Sequence, residues 1–187
     1  TGDVRVVVNA DTANAVGFIV LDATETTVDD EVVASVGTGS ATRSITIAPD
    51  GAIAYAVSPE AGVVIPIDIN DLTSQQSIPV GDTPLAVVVN PEGTRAYVAN
   101  SGGGTVSVID IDPLSPMYHQ VIGVIAVGTT PIDLAINPDG DRLFVVNCGS
   151  NSLSVIDTDG SSETYDQVLS TVRGGSSKRT VSIPPDA

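Results

Sequence analysis

The chain has 187 residues, of which only 16% are charged, and a positive mean hydropathy, which excludes the charge-rich, apolar-poor composition of disordered chains. With 23 acidic against 7 basic side chains its formal charge is −16, which repels phosphate backbones and anionic membrane surfaces, so no nucleic-acid partner is expected and anionic membrane surfaces are poor partners. No apolar run approaches the roughly 20 residues of a membrane-spanning helix, and the single Cys148 removes disulfide frameworks and multi-cysteine zinc sites.

Taken in chain order, residues 2–9, 16–22 and 31–37 alternate apolar and polar positions and read as the second, third and fourth strands of a sheet. A first strand at 44–48 then leads through the turn Pro49-Asp50-Gly51 into a second at 53–57, a third at 63–68 and a fourth ending at 77–81. The same order returns around Pro91-Glu92-Gly93, with strands at 86–90, 95–100 and 106–110 and a fourth ending at 124–128. It returns again around Pro138-Asp139-Gly140, with strands at 133–137, 142–147 and 153–157 and a fourth at 169–174. Residues 180–183 supply one more first strand, followed by Pro184-Pro185-Asp186. In all three complete copies the turn glycine and the Asp that ends the third strand are 17 positions apart.

Successive third-strand acids, Asp22, Asp68, Asp110 and Asp157, follow one another at 46, 42 and 47 residues. A four-stranded unit at that period is a propeller blade, and no 3.6-residue period calls for a helix. The expected fold is therefore an all-β propeller with four blades' worth of four-stranded antiparallel sheets. The blade pieces are 1–37, 38–81, 82–128, 129–174 and 175–187, the last completing the blade that 1–37 begins. Such a split ties a ring together and hides sheet edges. Three closures stand: within one chain, by a second copy through the split blade, or within a longer polypeptide. The opening Thr1-Gly2-Asp3, without an initiator Met or an apolar leader, favours a processed or excerpted chain.

Val80-Gly81-Asp82-Thr83-Pro84, Arg95-Ala96-Tyr97-Val98-Ala99-Asn100 and Gly104-Thr105-Val106-Ser107-Val108-Ile109-Asp110 together resemble the YVTN-type (YVTN/NHL-like) β-propeller repeat. Val127-Gly128-Thr129-Thr130-Pro131 with Arg142-Leu143-Phe144-Val145-Val146-Asn147 and Val155-Ile156-Asp157 is equally similar. The copy holding Ala54-Tyr55-Ala56-Val57-Ser58 departs from the pattern. The resemblance implies a propeller over nearly the whole chain. It also implies two kinds of role, since similar domains occur in surface-layer and secreted proteins and also include lactonases and cofactor-bearing oxidoreductases.

Among candidate site residues, Arg43, Asp82, Asp133 and Arg179 lie near the starts of first strands and are expected at a pore mouth, or else in a structural Arg–Asp network. Asp157, Asp159 and Glu163 resemble the opening of a calcium loop without its twelfth-position Glu, the competing reading being solvated surface. No other cofactor is expected. The third-strand acids themselves, and Asn9, Asn100 and Asn147, read as turn residues. His119, the one histidine, reads as an exposed loop residue, and no Gly-x-Ser-x-Gly motif accompanies it.

The expectation from sequence is a non-enzymatic binding or assembly module, extracellular, cell-surface or periplasmic. Protein or glycan ligands are expected on its loop faces, around 110–120 and 157–166. The alternative is a lactonase-like or cofactor-bearing enzyme, or part of one, with its site at the central funnel.

Overall fold

The computed structural model describes residues 4–7, 15–20, 34–174 and 180–181. Among them are strands, turns and loops and no helix, hence none long and apolar enough to cross a membrane.

Each complete unit starts from a turn that its sequence dictates. Gly51, Gly93 and Gly140 have φ of +74°, +67° and +74°, and their N–H groups donate to the carbonyls of Ala48, Asn90 and Asn137 at 2.8, 2.9 and 2.9 Å. The intervening proline presets φ for the turn, and glycine takes the left-handed position that side chains disfavour. The alternating Val, Ile and Ala on either side then pair as antiparallel strands.

The N-terminal sheet runs β1 (Val4–Val7), β2 (Ala15–Val20), β3 (Ala34–Gly37). The second sheet is β4 (Ser44–Ile47), β5 (Ile53–Ser58) and β6 (Val63–Asp68), whose outer edge pairs with two short pieces, β7 (Thr73–Ser74) and β8 (Ile78–Pro79). The third is β9 (Pro84–Val89), β10 (Arg95–Asn100), β11 (Thr105–Asp110), β12 (Gln120–Ala126). The fourth is β13 (Pro131–Ile136), β14 (Arg142–Asn147), β15 (Ser152–Asp157), β16 (Val168–Arg173). The described strands thus form the sheets of an all-β propeller, as expected. Thr180 and Val181 are not in a strand, and the rest of the expected strand 180–183 lies outside the described residues, as does Asp22.

Core residues lie between sheets. Tyr55, Val57, Val64 and Ile78 of the second sheet pack on Val87, Ala96, Val98 and Ile109 of the third. Ala86, Tyr97, Val106 and Val108 on the third sheet's other face pack on Leu134, Leu143, Val145 and Ile156 of the fourth. Full burial of each Val, Ile or Leu contributes roughly 1.5–3 kcal/mol. First strands touch first strands from sheet to sheet, β4 on β9 and β9 on β13, which puts them on the inside of the arc. The fourth strands β12 and β16 are the exposed outer ones.

The far face of the fourth sheet differs from that of the third. Phe144, Leu153 and Val155 are only half-buried, whereas Tyr97, Val106 and Val108, one repeat earlier, are 1%, 0% and 0% exposed. The third sheet has a neighbour on that face, and no described sheet covers the fourth.

Buried asparagines link the second and third strands. Nδ2 of Asn100 donates to Thr105 Oγ1 at 3.1 Å and Ser107 Oγ at 2.9 Å. Nδ2 of Asn147 donates to Ser152 and Ser154 at 3.3 and 2.9 Å. Both residues end strands and are fully buried, so they are core links rather than the turn residues expected; Asn9 lies outside the described residues.

Candidate functional site

Arg43, Asp82 and Asp133 share the end of the sheets at which first strands begin; Arg179 lies outside the described residues. Arg43 is exposed, immediately before β4, and makes no ion pair among the described residues. Asp82 is exposed, accepts the Thr83 hydroxyl at 3.0 Å and overlies Gly102, where a Cβ would meet its Oδ2 at 2.3 Å. Its main-chain carbonyl holds Gly102 N–H, the role that Thr129 plays for Gly149 in the next copy.

Asp133 is half-buried inside β13, opposite Val146, the position that Ala86 occupies opposite Ala99 in β9. Its neighbour Leu134 packs on the third sheet, so alternation turns Asp133 to the uncovered face. Oδ1 accepts Leu134 N–H at 3.0 Å and Oδ2 accepts Val181 N–H at 2.8 Å. The three residues therefore share an end and not a repeat position, and no hydrogen bond or ion pair among the described residues joins them.

At the opposite end the third-strand acids hold turns. Asp68 Oδ1 accepts the N–H groups of Asn70 and Asp71 at 2.9 and 3.2 Å. Asp110 accepts Ser115 Oγ–H at 2.8 Å and Asp112 N–H at 3.1 Å, and lies 3.0 Å from Arg95 Nη1. Burial would raise its pKa, but Ser115, Asp112 N–H and Arg95 together hold it below the usual carboxylate range. Asp157 accepts Ser162 Oγ–H at 2.7 Å, the Thr164 hydroxyl, Asp159 N–H at 3.1 Å and Arg142 Nη1–H at 3.0 Å. The hydroxyls of Ser162 and Thr164, with Asp159 N–H and Arg142, lower it to about 2.

Asp159 Oδ1 accepts both the N–H and the hydroxyl of Ser161, at 2.9 and 2.7 Å, while Glu163 is exposed. Asp157 thus spends its lone pairs on four protein donors, and among the described residues no three His, Cys, Asp or Glu side chains form a metal-ligand group.

The 110–120 and 157–166 loops are longer than their counterpart after Asp68, and they run in step with each other: Ser115, Tyr118, His119 and Gln120 recur as Ser162, Tyr165, Asp166 and Gln167. Each reaches back over the preceding sheet. His119 is half-buried rather than exposed, with Nε2 3.1 Å from Tyr55 Oη and its ring stacked 3.7 Å from Tyr118. Burial lowers the pKa of its imidazole. Asp166 takes the same left-handed conformation, φ +58° against +60°, and burial raises its pKa despite the nearby Arg95. Sequence reasoning missed these straps; the signal was the repeated Ser-x-x-Tyr-x-Gln spacing.

The model of the lactonase family, a seven-bladed β-propeller, matches residues 2–181. No curated protein matches the chain significantly. Among solved structures, Kuenenia stuttgartiensis hydrazine synthase is similar at 26% identity and a TM-score of 0.70, over 85% of this chain and 43% of that one. A functionally unknown protein from Desulfotomaculum acetoxidans DSM 771 is similar at 20% identity and a TM-score of 0.79, over 99% and 60%. A putative 6-phosphogluconolactonase from Bacteroides uniformis ATCC 8492 is similar at 20% identity and 0.68, over 85% and 51%. The chain thus spans between 43% and 60% of these three structures.

Proposed function

The chain belongs to the lactonase family of seven-bladed β-propellers, and from that premise we propose that it supplies an arc of blades to a ring that hydrolyses neutral lactones. The site lies at the strand-start end, around Asp133. The two strong copies are YVTN-type repeats within that family. The further blades of a seven-bladed ring come from outside these 187 residues.

The carrying observation is Asp133, the one ionisable residue among the described first strands β4, β9 and β13. Each of its oxygens accepts one backbone N–H and keeps a second lone pair. In the proposed reaction Asp133 takes a proton from water as the oxygen attacks the lactone carbonyl. The ring C–O bond then breaks, and the proton passes to the departing alkoxide, leaving a hydroxy acid. Arg43, which makes no ion pair among the described residues, supplies the positive charge for the new carboxylate, with Asp82 at the same end. A net charge of −16 opposes a phosphorylated substrate and favours a neutral one.

A screen of γ- and δ-lactones by proton release tests this. Turnover lost by more than tenfold in Asp133→Asn, with the fold intact, supports the proposal. Turnover no faster than spontaneous hydrolysis, or unchanged in the variant, removes it.

A second reading, the extracellular or cell-surface binding and assembly module, draws on the outer strands, where Val124 and Val172 are 64% and 50% exposed beside Ile122 and Leu169. Specific retention of an extracellular protein by an inactive chain, lost in Val124→Asp, would favour it. The family match favours the enzyme.

A further inference from the structure

The second sheet has a defect that the third and fourth lack. Pro66, opposite Tyr55 in β6, occupies the place of Val108 and Val155, where β11 and β15 meet bulges in their fourth strands. A proline in a central strand is tolerated at a bulge, because the missing N–H faces the irregular partner. Here the outer strand breaks into β7 and β8, and residues 75–77 loop out, tied back by Gln75 N–H to Pro66 O at 2.8 Å.

Beside this gap stands the strap from the third sheet. The His119 ring is edge-on to buried Tyr55, with centroids 5.7 Å apart, and stacked on Tyr118. Gap and strap enclose a cleft of about 450 Å³ lined by Gln75, Gln76, Ser77, Tyr118, His119 and Gln120, with β8 as its apolar side. In a chain of net charge −16, no Asp, Glu, Lys or Arg lines it.

We propose that this cleft is a binding site for a neutral saccharide of one or two rings, on the outer flank and separate from the strand-start end. Three carboxamides, each donor and acceptor at once, with the Ser77 hydroxyl and the His119 imidazole match the mixed donor–acceptor character of adjacent sugar hydroxyls. The Tyr118–His119 pair supplies aromatic surface on a base fixed by Tyr55. The volume falls in the ordinary range for small-ligand pockets, roughly 300–1,000 Å³. A peptide adding as a strand finds no ladder in the gap, because Pro66 has no N–H and its carbonyl is already paired.

His119 is the only histidine, so its Cε1–H proton resonance reports on the cleft without labelling. Glucose, maltose and cellobiose, each titrated to about 50 mM to reach weak millimolar affinities, are the probes. The expected result is a saturable shift of that resonance with at least one sugar. Gln76→Ala, which removes an exposed side chain without a hydrogen bond among the described residues, is expected to weaken binding at least fivefold without moving the sugar-free resonance. Asp133→Asn should leave binding unchanged. No shift with any sugar, a shift that never saturates, or equal affinity in Gln76→Ala overturns the proposal. So does a saturable shift with a neutral pentapeptide where the sugars give none.

Discussion

Asp133 and Val181, 48 residues apart, are joined by a hydrogen bond of 2.8 Å that brings the C-terminal segment against the first strand of the fourth sheet. Because β4, β9 and β13 follow one another side by side, this contact puts residues 180–181 where a further first strand belongs. Asp133→Ala is expected to cost about 1 kcal/mol and to speed hydrogen exchange at Val181 N–H. Asp133→Asn keeps one acceptor oxygen for the two N–H groups and should restore part of that protection. It should not restore lactone turnover, which separates the residue's anchoring role from its proposed chemistry.

Packing at the sheet junctions makes two glycines irreplaceable. A Cβ on Gly81 would lie 2.6 Å from the Asn100 amide, and one on Gly128 would lie 2.7 Å from Asn147. Each asparagine is held by two hydroxyl acceptors and is fully buried, so it has little room to yield. Gly81→Ala and Gly128→Ala should each destabilise by about 1–3 kcal/mol in urea titrations. Gly160→Ala, with nothing within 4 Å, should stay within about 0.5 kcal/mol.

The acid turns predict a pH dependence whose sign follows from their pKa values. Asp157 is lowered to about 2 and Asp110 is lowered as well, so both bind protons less readily folded than unfolded. Their stabilisation is complete above the unfolded value of about 4 and is lost as pH falls through the lowered folded values, about 2 for Asp157. Urea midpoints at pH 5, 3 and 2 should fall in that order. Asp157→Asn should lower the midpoint at pH 5 and flatten its fall; a midpoint rising towards pH 2 would contradict this.

His119 predicts a second, milder transition. Burial lowers its folded pKa below the ordinary value of about 6.5, so the folded state disfavours the charged ring. Its contribution is intact above about 6.5 and is lost as pH falls through the lowered value. The Cε1–H titration should give a pKa under 6.5, and Tyr118→Ala, which strips the stacked ring, should move it back up. A pKa at or above 6.5 in the unaltered chain would refute the buried strap.

These residues also mark how much the sequence disclosed. The Pro-x-Gly turns and the 17-residue step to Asp68, Asp110 and Asp157 are local chemistry, and the sheets formed where that chemistry put them. The strap was illegible because His119 owes its burial to Tyr55, 64 positions away. Asn100 and Asn147 looked like turn residues because burial at a sheet junction depends on the neighbouring sheet. Pro66 broke the fourth strand because the outer partner there needs a ladder N–H that proline lacks, and that partner lies in a later stretch of sequence. At the strand-start end, Arg43, Asp82 and Asp133 looked alike from their distance to a strand. Strand register separates them, with Asp133 alone inside a strand.

The uncovered face of the fourth sheet offers the most direct test of the arc itself. Phe144, Leu153 and Val155 are half-buried where their counterparts one repeat earlier are sealed by a neighbouring sheet, and a seven-bladed ring would seal them too. Light scattering on the 187-residue chain should therefore give a mass above the 18.9 kDa of one copy, and Leu153→Asp should return it to one copy. A stable particle of 18.9 kDa would mean that the sheets close on themselves, and the account of an open arc would fall.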